Sequence, residues 1–86
     1  MAKATKIEQQ VRALAAEHGW EVEDTDYYTA ILFASTDTEN FERCIWKRDE
    51  WDDTRLPQSA VTRQWQDAWD SLSELVRIGW TPSEED

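Results

Sequence analysis

The chain has 86 residues, with 19 Asp or Glu against 9 Lys or Arg and a net charge of −10. That length holds one hydrophobic core, and the acidic balance argues against direct nucleic-acid binding. A single cysteine excludes an internal disulfide, and no stretch is apolar enough to span a bilayer.

Leu, Ile, Val and Phe together supply only 15 of the 86 residues, a share at which a highly charged chain is ordinarily disordered. Six Trp reverse that expectation, because each buried aromatic removes about 150–250 Å² from water. The sequence reads as one small acidic domain over 1–80 with an aromatic core, followed by a frayed acidic tail over 81–86. The start of the chain has no apolar run of the signal-peptide kind, so cytoplasmic residence is the simplest expectation. The charge is uneven: 19–42 carries seven acids and no base.

Thr5-Lys6-Ile7-Glu8 has the spacing of a capping box, with the Thr5 hydroxyl facing the Glu8 amide and the Glu8 carboxylate reaching back. Ile7, Val11, Leu14 and His18 then share one helical face, and Gly19 is the natural stop. Beyond Gly19 the period becomes two. Trp20-Glu21-Val22-Glu23 alternates apolar with acidic, as a half-buried strand does. Asp24-Thr25-Asp26 reads as a turn, 27–35 as a second strand rich in aromatic and β-branched residues, 36–40 as a loop and 41–47 as a third strand. A polar loop over 49–58 contains Trp51 and Pro57. The second helix begins near Pro57–Ser59, with either Ser59 as its N-cap or Pro57 in its first turn. Its apolar stripe is Val61, Trp65, Ala68, Trp69, Leu72, Leu75 and Val76, and Gly79 ends it.

The expected fold is α+β in the order α-β-β-β-α, a three-stranded antiparallel meander with two amphipathic helices on one face. Double-stranded RNA-binding domains share that order, but they contact phosphates with lysines near the start of the second helix. Here that stretch reads Ser59-Ala60-Val61-Thr62-Arg63, so direct nucleic-acid binding is not expected.

His18 and Cys44 are the only His and Cys, too few for a zinc site and an unsupported nucleophile pair. The acidic runs 21–26 and 49–53 lack the Gly-centred spacing of a calcium loop. No catalytic residue, cofactor or metal is therefore assigned, and a non-enzymatic role is expected.

The binding candidates are of three kinds. Trp51 in an acidic loop and Trp80 beyond a helix stop have no local reason to be buried, and exposed Trp is enriched at interface hot spots. The second strand is apolar on both parities, with Tyr28, Ala30, Leu32 and Ala34 on one face and Tyr27, Ile31 and Phe33 on the other. The sequence leaves open which face meets the helices, and Tyr27, Ile31 and Phe33 are the candidates for an uncovered apolar patch that takes a partner or a second copy. Asp67, Asp70 and Glu74 form an acidic row on the outer face of the second helix, bracketed by Arg63 and Arg77; with Glu21 and Glu23 it could imitate phosphates.

These features predict an acidic module that docks on a basic protein partner and inhibits or regulates it. A nucleic-acid-handling enzyme is the class of partner that the charge favours, as with acidic phage inhibitors, including DNA mimics, of restriction or CRISPR machinery. The alternative is a subunit that self-associates through its second sheet face. No membrane association is expected.

Overall fold

The structure, a computed structural model, describes residues 5–49 and 51–82. The chain runs α1 (Lys6–Glu17), β1 (Glu21–Asp24), β2 (Tyr28–Ser35), β3 (Asn40–Trp46) and α2 (Gln58–Ile78). The strands form one antiparallel sheet in the order β1-β2-β3, with β2 central. The α-β-β-β-α order and the meander agree with the sequence reading. The expected acidic tail lies outside the described residues from 83 onward.

Helix α1 starts where Thr5 Oγ1 accepts the Glu8 amide at 3.2 Å. The Glu8 carboxylate takes the Arg12 Nε–H at 2.9 Å. Both helices end alike. Gly19 and Gly79 adopt φ of 70° and 68°, a left-handed conformation that glycine reaches without steric cost. The Trp20 amide bonds the Ala15 carbonyl at 2.8 Å and the Trp80 amide bonds that of Leu75 at 2.9 Å, closing two Schellman ends.

At the start of α2, Pro57 is itself the N-cap, and its carbonyl accepts from Ala60 at 3.0 Å and Val61 at 3.2 Å. Ser59 is inside the helix. Pro57 stays outside the first turn, with φ −58° and ψ 149° and no side-chain cap, so the helix starts one residue after it and neither expected start is met.

Both sheet turns are built on a Thr-Asp pair. Thr25 Oγ1 accepts the amides of Tyr27 and Tyr28, and Thr36 Oγ1 those of Thr38 and Glu39. Side-chain acceptors of this kind replace the second strand at the bend.

The antiparallel register sorts the side chains by face, because strand residues alternate. Three rows cross the face away from the helices: Glu21–Leu32–Glu42, Glu23–Ala30–Cys44 and Tyr28–Trp46. Val22, Thr29, Ile31 and Ile45 have the opposite parity. Val11, Ala15, Ile31, Ile45, Trp65, Ala68 and Leu72 form the buried core between sheet and helices. Register shifts between Leu32 and Ala34, a bulge that leaves Phe33 unpaired beside the core.

This corrects the assignment of faces. Ile31 is 0% exposed beneath the helices, and Phe33 packs against the same core, so neither belongs to an uncovered face. The reason is electrostatic: covering the other face would have buried Glu21, Glu23 and Glu42 together, and unpaired carboxylates resist desolvation. The uncovered face is accordingly mixed, acidic and aromatic, and not an apolar patch.

Candidate functional site

The open sheet face is an organised surface of acidic character. Glu21 and Glu23 alternate out of β1, and Glu42 enters from β3, so three carboxylates surround Leu32, Ala30 and Cys44. None of the side chains in these rows is cationic. The local field registers on two neighbours. The Tyr28 hydroxyl is held above its ordinary pKa chiefly by the charge of Glu23, with Glu42 adding to it. Burial, then the charges of Glu42 and Glu23, push the Cys44 thiol up, which makes it a weaker nucleophile at neutral pH.

Tyr28 and Trp46 close one end of this face, their rings 5.4 Å apart in an edge contact. Trp46 is 48% exposed, yet its backbone is fixed. Gln64 of α2 accepts the Trp46 amide at 2.8 Å and donates to the Trp46 carbonyl at 2.9 Å. The side-chain amide thus occupies the place of a further strand on the outer edge of β3.

Immediately after β3 the chain forms a short hairpin. Arg48 and Arg55 make an antiparallel bridge, Asp49 N–H bonds the Thr54 carbonyl at 2.7 Å and Leu56 N–H bonds the Lys47 carbonyl at 2.9 Å. Asp49 Oδ1 accepts the amides of Trp51 at 2.8 Å and Asp52 at 3.2 Å, an Asx turn. Asp53 carries φ of 56°, a left-handed conformation that Asp tolerates better than most residues. Trp51 stands on this hairpin 88% exposed.

The sequence-derived candidates are dispersed. Trp51 joins Trp46 beside the open face. Tyr27, 52% exposed, lies in the turn just before β2, not in the strand as expected, under the Arg48 guanidinium at 5.6 Å from its ring centroid. Trp80 is at the other end of the molecule, resting on Phe33 at 6.0 Å and Phe41 at 5.5 Å, and anchors the end of α2. Ile31 and Phe33 are in or against the core. Asp67, Asp70 and Glu74 are exposed on the far side of α2, where Gln66 donates to Asp70 and Arg77 pairs with Glu74. The row is therefore partly neutralised.

Glu42, Tyr28 and Trp46 are the surface residues that sequence reasoning passed over. The alternation in β1 was the available signal, since the partners of Glu21 and Glu23 on β2 must share their face.

His18 lies over Trp20 at 5.2 Å at the end of α1, while Cys44 is mid-strand on the open face, so the two do not form a pair. Among the described residues no cluster of three His, Cys, Asp or Glu is placed to hold a metal ion, and no helix is long and apolar enough to cross a membrane. No family model, curated protein or solved structure matches this chain.

Proposed function

We propose that this chain is a non-enzymatic acidic binding module that docks on a basic partner protein and inhibits or regulates it. The observation that carries the reading is the open sheet face, with Glu21, Glu23 and Glu42 in register and Tyr28 and Trp46 at its end. Aromatic anchors supply the desolvated contact area of a protein interface, and the carboxylates select and steer a positively charged surface. A nucleic-acid-handling enzyme is the class of partner that suits such a surface.

Duplex DNA presents one charge per about 1.7 Å of axis, a density that three glutamates do not reproduce. The docking therefore relies on complementarity to a basic protein surface more than on strict phosphate mimicry. Face-to-face self-association is disfavoured on the same grounds, because it would set glutamates against glutamates.

The test is capture from a cell lysate with stepped salt elution, run side by side with two charge-reversed variants. One carries Glu21→Lys, Glu23→Lys and Glu42→Lys; the other carries Asp67→Lys, Asp70→Lys and Glu74→Lys. The wild type and the helix variant should retain a basic protein that salt releases, because the attraction is screened. The sheet variant, folded by circular dichroism, should lose it. Retention by the sheet variant, or recovery of the bait alone through high salt, overturns the reading.

A further inference from the structure

The geometry points to a second level of recognition within that docking surface: the cleft between Trp46 and Trp51 receives the guanidinium of an arginine side chain presented by the partner. The inference rests on the proposed function and names the chemistry of one contact in it.

The cleft has a volume of about 360 Å³ and is lined by Trp46, Arg48, Asp49, Trp51 and Leu56. Trp46 and Trp51 both line it, 48% and 88% exposed. A turn of this length needs only turn-forming residues, so the indole at its tip is surplus to the fold. The hairpin holds it out through its own backbone bonds and the Asx turn of Asp49, and Gln64 fixes the backbone of Trp46. Both indoles are thus attached to a hydrogen-bonded framework.

The charge of the lining decides between occupants. An aliphatic side chain would suit the indoles but gain nothing from Asp49. Asp49 uses Oδ1 for the turn, and among the described residues no donor meets Oδ2. Asp52 and Asp53 flank the same tip. The one cation in the lining, Arg48, has its donors committed within the chain. Its Nε donates to the Asp26 carbonyl at 3.3 Å, its Nη1 donates to the Asp53 carbonyl at 3.1 Å, and its carbon lies over the Tyr27 ring. An anion would meet Asp49 and the neighbouring Asp52 and Asp53, with only the committed Arg48 to offset them, and is disfavoured. A planar guanidinium can stack on an indole face and donate to a carboxylate at once, which a compact ammonium does less well.

The test uses N-acetyl-arginine methylamide as probe, with the norleucine analogue as its uncharged counterpart, and follows the indole N–H signals by NMR. The arginine probe should shift the Trp46 and Trp51 signals saturably in the millimolar range, while norleucine leaves them in place. Trp51→Ala should weaken binding by about twofold to fivefold, the worth of one cation–π contact at an exposed indole. Asp49→Asn, which keeps the Oδ1 acceptor of the turn, should weaken it by about threefold to tenfold.

Equal binding of norleucine, or undiminished arginine binding by Trp51→Ala, overturns the assignment. The outcome is separable from that of the docking reading. Loss of the captured partner by the sheet variant together with no arginine binding would refute the cleft alone. Arginine binding with no basic partner captured would refute the docking reading alone.

Discussion

Gln64 holds Trp46 by both of its backbone groups, an acceptor bond of 2.8 Å and a donor bond of 2.9 Å from a single side-chain amide. An edge strand ordinarily leaves such groups to water or to another chain. Here a helix residue closes the edge at the position from which an exposed indole projects. Gln64→Ala should cost about 1–2 kcal/mol, the net worth of two neutral hydrogen bonds. Gln64→Glu, which keeps the acceptor and loses the donor, should fall between the two in urea denaturation.

The assignment of sheet faces makes a paired prediction. Ile31→Lys places a charge at a fully buried site and should cost at least about 3 kcal/mol, enough to unfold much of a small domain. Leu32→Lys, one residue on and facing outward, should stay within about 1 kcal/mol of the wild type. Circular dichroism and urea midpoints read both. A folded Ile31→Lys beside an unfolded Leu32→Lys would reverse the faces.

Arg12 ties α1 to β1 through two bonds to Asp24, at 2.8 and 2.9 Å, and lies 5.3 Å over the Trp65 ring of α2. Asp24 also accepts the buried Thr29 hydroxyl at 2.7 Å. The Arg12 bonds, aided by Thr29, hold the Asp24 carboxyl well below the usual carboxylate range. A folded-state pKa below the unfolded one adds stability above the unfolded value of about 4, lost as pH falls toward the folded one. Asp24→Asn should cost about 1–2 kcal/mol at pH 7, at the low end for charged bonds because the side chain is half open to solvent. The gap between variant and wild type should narrow below about pH 4, which urea midpoints at pH 7 and pH 3 measure.

Trp20 and Trp80, each following a glycine helix stop, converge on Phe33 at 6.3 and 6.0 Å. Phe33→Ala should therefore loosen both helix ends and cost about 2–3 kcal/mol, less than a fully buried phenylalanine because Phe33 is only half-buried. Trp51→Ala should change stability by no more than about 0.5 kcal/mol. Thermal unfolding of the two variants separates a structural aromatic from an exposed one.

Much of the fold was legible because its signals are local. Thr5 and Gly19 bound α1, Gly79 ends α2, and the change of period after Gly19 marks the sheet. The face of β2 was not local information. Its two parities are equally apolar, and the choice rests on Glu21 and Glu23 in β1, which reach β2 only through the register. The bulge at Phe33 obscures the parity further. The site was legible in part: Trp51 stood out because its acidic loop offered nothing to bury it. Its neighbour Trp46 did not, because the clamp from Gln64 joins residues 18 apart in the chain.

The most direct measurement of where this protein binds is a hydrogen-exchange footprint of its complex with the captured basic partner. Added protection should fall on Glu21–Glu23, Tyr28, Glu42–Trp46 and the Trp51 hairpin, and leave the Asp67–Glu74 stretch of α2 unchanged. Protection confined to that outer face of α2, with the open sheet and hairpin unaltered, would contradict the account.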